Sequence, residues 1–265
     1  KTISIVVAIF NRKDELFELL NSLIAQTDKD FEVIIVDDGS FVDLLPTVET
    51  FKEMLNIQYF KKANSGPGLS RNYGANRAKN DWLVFVDSDV IVEKDYIENI
   101  KKNLEKTDCA AFGGADKAHK GFNLLQKAIS YSMTSVFTTG GIRGSKKAVT
   151  RFQPRSFNMG VNKEIFLKIG GFSEMRIGED PDLSMTIWEN GYQTAFFDDI
   201  GVYHKRRTDL GKFSKQVYQF GCARPILNQR HPDYVKPTFW FPTLFLLGYV
   251  AGILEYFLLQ KGFVL

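Results

Sequence analysis

The chain has 265 residues, 44% of them hydrophobic and 25% charged, which is typical of a globular protein with a sizeable core. Its formal net charge of +3 is too small to indicate a nucleic-acid partner. The two cysteines, Cys109 and Cys222, lie far apart without CxxC spacing, so we expect free thiols in a reducing compartment rather than a disulfide framework or a zinc site.

Apolar runs and helical spacing alternate over the first hundred residues. The runs predict four strands, in ISIVVAIF (Ile3–Phe10), FEVIIVDD, NIQYFKKA and WLVFV, the third of them nearer a sheet edge. Helices are predicted between them, from the leucine spacing that begins at Leu16 and over Leu69–Ala78. Strands without polar alternation, separated by helices, indicate an α/β fold: a doubly wound, mainly parallel sheet with helices on both faces.

The pattern becomes less regular after residue 107. CAAFGGA predicts a strand, Phe122–Val136 a helix, and the glycine-rich basic stretch Thr138–Arg151 a mobile loop. We therefore expect one domain over residues 1–230, with halves at 1–107 and 108–230, and a C-terminal helical appendage over 231–265.

The appendage contains FWFPTLFLLGYVAGILEYFLL (Phe239–Leu259), whose only charge is Glu255. Its length matches the roughly 20 residues that span a bilayer. Pro242, two glycines and Glu255 suit a buried or interfacial helix equally well. We expect this segment to contact a membrane, and the apolar C-terminus together with the basic patches favours a membrane-bound acceptor at the cytoplasmic face.

Polar clusters follow three of the predicted strands. Asn11 and Arg12 follow the first, Asp37 and Asp38 end the second, and Asp87-Ser88-Asp89 follows the fourth. Ligands of doubly wound sheets bind beyond the carboxyl ends of the strands, where the strand order reverses. All three clusters should therefore meet at one rim.

Asp87 and Asp89 can face one ligand together, because residues i and i+2 of an extended chain point to the same side. Two close carboxylates repel each other, and oxygen ligands of this kind suit Mg²⁺ or Mn²⁺. The alternative is that one aspartate caps the next helix and the other is solvated.

Asp38 and the stretch NSGPGLSRNYGANRA have two interpretations each. Asp38 either caps backbone amides in its turn or accepts hydrogen bonds from a nucleobase or a ribose. The glycine-rich stretch is either a turn capped by Ser70 or a close approach to a ligand, with Arg71 in the first turn of the following helix contacting a diphosphate.

In this order, ISIVVAIFNRKDELFELLNSLIAQTDKDFEVIIVDDGS, NSGPGLSRNYGANRA and WLVFVDSD resemble the family 2 glycosyltransferases of the GT-A fold. FNMGVNKEIFLKIGGF and GEDPDLSMTIWENGY resemble the acceptor half of the same family. The resemblance extends from Lys1 to about Arg230. It implies that a sugar is transferred with inversion from a nucleotide-diphosphate sugar to an acceptor hydroxyl, with Mn²⁺ or Mg²⁺ bridging the diphosphate.

The resemblance also implies residue roles, beginning with a nucleotide-binding half over 1–107. Asp38 binds the base with support from Asp37, Arg71 matches the family's arginine, Asp87 binds the ribose or the water shell of the metal, and Asn11 completes the nucleotide-binding group. Asp89 binds the metal with Asp87, and His204 either supplies a third ligand or begins a basic loop. Asn158, Met159 and Gly160 lie on the acceptor side, although Met159 fits a core position equally well.

The last acid of GED, Asp180, is implied as the general base, with Glu179 as the fallback. Asp180 followed by Pro181 is also how a helix begins, with the aspartate as N-cap and the helix running to Asn190. The two interpretations are compatible, because a capping carboxylate is held in place and a base must be within reach of its proton.

The sequence leaves two alternative functions. A sugar nucleotidyltransferase should carry a glycine-rich basic signature after the first strand, whereas this chain has FNRKDEL there. A non-catalytic nucleotide-binding membrane protein is disfavoured by the presence of both Asp89 and Asp180. We therefore expect a UDP-, GDP- or dTDP-sugar donor and a glycan or lipid-linked acceptor, in cell-surface or lipid-linked glycan synthesis.

Overall fold

The computed structural model describes residues 1–117, 123–134, 151–204 and 209–262. Apart from Arg151, the stretch predicted to be a mobile loop lies outside these residues. The strands are Ile3–Ile9 (β1), Phe31–Asp37 (β2), Ile57–Lys61 (β3), Trp82–Val86 (β4), Val90–Val92 (β5), Ala111–Lys117 (β6), Asn158–Asn162 (β7) and Thr194–His204 (β8).

Helices lie between and after these strands. They are Lys13–Ile24 (α1), Leu45–Glu49 (α2), Pro67–Ala75 (α3), Tyr96–Lys106 (α4), Leu124–Thr134 (α5), Lys163–Lys168 (α6), Glu179–Glu189 (α7), Leu210–Arg230 (α8) and Phe241–Gly262 (α9), with 3-10 turns at Pro232–Tyr234 and Pro237–Trp240.

The strands form one sheet in the order β3-β2-β1-β4-β7-β6-β8-β5. The first four are parallel to one another, β7 is antiparallel to β4 and β6, β8 is parallel to β6, and β5 is antiparallel to β8. The parallel first half and the edge position of β3 were predicted correctly, whereas the second half is mixed. The strand order reverses between β1 and β4, which is where a ligand site is expected.

Helices cover both faces of the parallel half. Ile5 and Val7 of β1 belong to the same buried cluster as Leu16 of α1. On the opposite face, Val6 of β1 lies directly beneath Gly74 of α3. Alternate residues of one strand thus pack against different helices, which explains the absence of polar alternation in its sequence.

The sheet is curled, and the link between β4 and β5 shows why. Residues 87–89 alone join these strands. A link of this length spans at most about 14 Å, whereas the four strand steps from β4 to β5 measure about 19 Å in a flat sheet. The far edge of the sheet therefore curls back toward the carboxyl end of β4, and the two aspartates of the link lie where the ends meet.

Two element boundaries differ from the prediction. β1 ends at Ile9, so Phe10, which we expected inside a buried strand, is 42% exposed. α3 begins at Pro67 rather than Leu69, because Gly66 adopts a φ of 95° that admits the turn and Pro67 fits the first helical position. Arg71 therefore lies in the second turn of α3 and not in the first.

The described chain forms two compact units, Lys1–Arg224 and Pro225–Leu265. The first contains the whole sheet, and the boundary falls at Pro225 inside α8, where proline removes a helical hydrogen bond. In the second unit, Phe241–Leu259 of α9 has a mean hydropathy of 1.6 and is long and apolar enough to cross a membrane.

Candidate active site

The ends of β1 and β2 are joined by hydrogen bonds through Asn11. Its backbone N–H donates to Ser40 Oγ (2.9 Å), and its side-chain Oδ1 accepts from the Phe41 N–H (2.8 Å). Asn11 adopts a φ of 54°, a left-handed conformation that asparagine tolerates better than most residues. The first two polar clusters therefore form one continuous rim, and Asn11 serves this rim structurally.

The end of β1 is also joined to the link after β4. Arg12 forms an ion pair with Asp89, whose carboxylate is largely buried. Burial disfavours the charge on Arg12, but the attraction of Asp89 outweighs it and raises the pKa of Arg12. The predicted convergence of the three clusters is thus found in the structure.

The Asp38 carboxylate closes onto the glycine-rich stretch. It pairs with Lys62 and accepts hydrogen bonds from the backbone N–H groups of Ser65 and Gly66, each at 2.9 Å. Burial alone would raise the pKa of Asp38, but these hydrogen bonds hold it below its usual value. The capping interpretation of Asp38 is therefore what the structure shows, and contact with a base stays a prediction.

Asp37 is fully buried behind this rim. Its carboxylate accepts hydrogen bonds from the backbone N–H of Ser40 (2.8 Å) and the hydroxyl of Tyr59 (2.7 Å). Both oxygens are therefore engaged within the protein, and Asp37 can support a nucleotide only by holding the turn around Asp38.

Arg71 connects the two halves of the first unit. Its guanidinium donates to Asp87 Oδ1 (2.8 Å) after β4 and to Glu179 Oε1 (3.1 Å) at the start of α7, and it lies 5.4 Å from the ring centre of Phe172. It is 4% exposed, and its Nε has no hydrogen-bond partner among the described residues. One buried donor of Arg71 therefore remains for a ligand.

The two aspartates of the 87–89 link each face an arginine, since Asp87 pairs with Arg71 and Asp89 with Arg12. His204 lies in register with Val90 on the neighbouring strand, one residue beyond Asp89, although its side chain is outside the described atoms. Within the described part of the chain, no three histidine, cysteine, aspartate or glutamate side chains are grouped to hold a metal ion. The protein itself thus offers two carboxylates here.

The helix predicted to begin at Pro181 with Asp180 as its cap begins instead at Glu179, and that prediction was wrong. Gly178 takes the capping position, because its φ of 88° is accessible to glycine and turns the chain directly into the helix. Asp180 therefore lies in the first turn with its side chain free of the capping role. Its Oδ1 is buried without a hydrogen-bond partner among the described residues.

Glu179 and Asp180 have different environments. Burial and the negative charge of Asp180 raise the pKa of Glu179 to about 7, against the opposing charge of Arg71. At neutral pH Glu179 thus holds part of a proton beside Arg71, while Asp180 is the carboxylate with an oxygen left for a ligand.

The residues predicted on the acceptor side lie in the core of the sheet. Asn158 accepts from the hydroxyl of Tyr96 (2.6 Å) and donates to the carbonyl of Ile200 (2.7 Å), and Met159 is fully buried. A Cβ at Gly160 would overlap the ring of Phe112. All three side-chain positions face protein. Their acceptor role stays a prediction.

Three basic residues at the site had no role predicted from the sequence: Arg12, Lys62 and Arg155. Arg12 follows β1 and Lys62 follows β3, and these positions at strand ends could have identified both residues from the sequence. No sequence motif predicted a role for Arg155. The structure identifies it, because the charges of Asp180 and Glu179 act on it.

The sequence model described as glycosyl transferase family 2 matches residues 4–169. An uncharacterized glycosyltransferase of Haemophilus influenzae is 31% identical over 202 residues, which cover 73% of this chain and 64% of that protein. The chain spans less than a fifth of the length of three similar glycosyltransferases from Rickettsia species.

Two solved structures illustrate the similarity in fold. Residues 1–349 of TarS from Staphylococcus aureus, in complex with UDP-GlcNAc, align over 87% of this chain and 66% of that chain, with 22% identity and a TM-score of 0.66. The mannosyltransferase PcManGT from Pyrobaculum calidifontis, in complex with GDP-Man and Mn²⁺, aligns over 93% of this chain and 69% of that chain, with 19% identity and a TM-score of 0.63.

Proposed function

The chain belongs to glycosyl transferase family 2, and on that premise we propose that it transfers a sugar from a nucleotide-diphosphate sugar to an acceptor hydroxyl, with inversion at the anomeric carbon. The GT-A fold that the sequence predicted is confirmed by the similarity to solved glycosyltransferases. The activity, donor and acceptor of the whole protein belong to the proposal.

The observation that carries the proposal is that Arg71 forms ion pairs with two carboxylates from different parts of the chain. This one buried guanidinium holds Asp87, at the end of a central strand, and Glu179, beside Asp180. The site that would bind a nucleotide and the carboxylate that would activate an acceptor are therefore held in fixed relation. Such positioning of two substrates lowers the entropic part of a reaction barrier.

The residues of the rim have separate roles in the proposed direct displacement reaction. The rim around Asp38 receives the nucleoside, and the remaining N–H of Arg71 is available to a diphosphate oxygen. Asp180 Oδ1 takes the proton of the acceptor hydroxyl as its oxygen attacks the anomeric carbon. The bond from that carbon to the diphosphate breaks, and the nucleoside diphosphate leaves with the bonding electrons.

The donor set suits a divalent cation. Asp87 and Asp89 supply the hard oxygen ligands that Mn²⁺ and Mg²⁺ prefer, and His204 is the predicted third ligand. When bound, the metal would offset the charge that develops on the leaving diphosphate. Its binding belongs to the proposal, supported by the Mn²⁺ in the similar mannosyltransferase structure.

Donor turnover tests the proposed function. The protein is incubated with UDP-, GDP- and dTDP-sugars in turn, with Mn²⁺, and release of the nucleoside diphosphate is followed by chromatography. We expect one nucleotide class to be consumed, and the released sugar to have the opposite anomeric configuration by NMR. Retention of configuration, or no consumption of any donor, contradicts the proposal.

We propose that the second unit contacts a membrane through α9. Large apolar side chains of α9 are exposed on all sides, including Phe245 at 78% and Leu258 at 70%. A helix that is apolar all round is stable only when buried or in a bilayer. We therefore place the enzyme at the cytoplasmic face of a membrane, acting on a membrane-bound or lipid-linked glycan acceptor.

A further inference from the structure

Arg155 carries a partly buried guanidinium that no described residue binds. Its Nε is inaccessible to solvent and lacks a hydrogen-bond partner, and its side chain forms no ion pair with any described residue. A buried N–H donor without a hydrogen bond is costly, and a ligand oxygen would satisfy it. Arg71, by contrast, is paired with two carboxylates.

The backbone holds Arg155 beside the first turn of α7. Ser184 Oγ lies within hydrogen-bond distance of the carbonyl oxygens of both Asp180 (2.9 Å) and Pro154 (3.4 Å). The Arg155 carbonyl accepts from the N–H of Asn158 (2.8 Å) in β7. The backbone of this segment is therefore held against α7, and the charge of the Asp180 carboxylate acts on the Arg155 guanidinium.

The unfilled hydrogen bonds at this place are complementary. Among the described residues, Asp180 Oδ1 lacks a donor, and Arg155 Nε–H lacks an acceptor. The charges of Asp180 and Glu179 act on Arg155, yet burial outweighs them and lowers the pKa of Arg155. The described residues leave both groups unsatisfied, and a ligand with one donor and one acceptor oxygen would satisfy both.

We propose that Arg155 binds the acceptor, donating a hydrogen bond to an oxygen on the carbon next to the hydroxyl that Asp180 deprotonates. This inference rests on the proposed function of the site. The second oxygen is a neutral hydroxyl, because an anionic oxygen would be repelled by the adjacent carboxylates of Asp180 and Glu179. The acceptor class is therefore a sugar or polyol with vicinal hydroxyls.

Glycerol and 1-propanol test this class, since both present a primary hydroxyl and only glycerol has a second one beside it. With a consumed nucleotide sugar as donor, the wild-type protein should glycosylate glycerol in preference to 1-propanol. In Arg155→Met, transfer to glycerol relative to hydrolysis should fall at least about 10-fold, the loss expected when one hydrogen bond from a charged donor is removed. Arg155→Lys, which keeps a donor, should recover part of it, and Arg77→Met should leave the ratio unchanged.

Thermal unfolding separates binding from a structural role. Arg155→Met should unfold at the same or a higher temperature than the wild type, whereas Arg71→Met, which breaks a paired cluster, should unfold several degrees lower. Wild-type protein that hydrolyses the donor without preferring glycerol overturns the inference, as does an unchanged glycerol ratio in Arg155→Met. Wild-type protein that consumes no nucleotide sugar overturns the proposed function itself.

Discussion

At the scale of single residues, the site depends on which of two neighbouring carboxylates is paired with an arginine. Glu179 and Asp180 are adjacent in α7, and Glu179 is held by Arg71, while Asp180 Oδ1 has no hydrogen-bond partner among the described residues. Two carboxylates this close divide their roles by environment, because the one that is more buried and more repelled keeps its proton longer. Two predictions follow from this division of roles.

The pH dependence of stability should reveal Glu179. Its pKa is raised from 4.5 to about 7, so the folded state binds the proton more tightly than the unfolded chain does. Stability should then fall as pH rises from about 4.5 to 7, by up to about 3 kcal/mol, and level off above. Asp38, whose pKa is lowered, titrates below this window.

Urea unfolding between pH 5 and pH 8, followed by circular dichroism, measures this slope. Glu179→Gln should remove most of it, and Glu174→Gln, at an exposed glutamate, should retain it. An unaltered slope in Glu179→Gln contradicts the assignment of the raised pKa.

The identity of the base is tested by Asp180→Asn. Because the amide cannot take a proton, transfer should fall about 1,000-fold, within the range for loss of a general base. Nucleotide affinity, measured by calorimetry, should remain close to that of the wild type. If Asp180→Asn stays active and Glu179→Gln is the inactive variant, the base is Glu179.

At the scale of elements, β7 is the strand on which the second half of the sheet is built. It runs antiparallel between β4 and β6, and Gly160 faces Phe112 of β6 with no room for a side chain. Overpacking of such a position costs about 1–3 kcal/mol or more. Gly160→Ala should therefore be destabilised by at least this amount in urea unfolding.

Gly221→Ala is the matched control for that substitution. Gly221 lies exposed in α8 with nothing near a new Cβ, so alanine there should stabilise the protein by about 0.5–1 kcal/mol through helix propensity. Equal effects of the two substitutions would contradict the packing of β7 against β6.

The elements also show what sequence alone could predict. β1, β2 and β4 are mainly apolar and lack polar alternation because helices cover both of their faces, and this signal is local and strong. The start of α7 was misplaced because Asp-Pro is a common helix start, and the left-handed conformation of Gly178 that overrides it leaves no pattern. The antiparallel pairing of β7 was likewise not predictable, since it depends on contacts with distant strands.

Some of the candidate site residues could likewise be predicted from the sequence, and others could not. Strand ends predicted which carboxylates would meet, because the geometry of a parallel sheet brings them together. Their partners, Arg12 for Asp89 and Lys62 for Asp38, depend on which long side chains reach them in the folded chain, and neighbouring sequence does not encode this.

At the scale of the whole molecule, α9 accounts for the proposed membrane location. Leu247→Arg together with Val250→Arg places two charges within the apolar stretch, each costing about 2.5–3.5 kcal/mol at a bilayer centre. Flotation with phosphatidylglycerol-containing vesicles should then fall by at least about 10-fold. Leu124→Arg, at an exposed leucine of α5, should float as the wild type does, and equal flotation of the double variant would contradict membrane contact through α9.

The central claim is that the rim binds a nucleoside diphosphate together with a divalent cation. Calorimetric titration of UDP, GDP and dTDP, each with and without Mn²⁺, tests this claim most directly, with Asp89→Asn as the variant and Asp233→Asn, an exposed aspartate, as its control. We predict that one diphosphate binds in the presence of Mn²⁺, and that its affinity falls at least about 10-fold without the metal or in Asp89→Asn. Binding that is indifferent to both changes, or no binding of any nucleotide, would contradict the account.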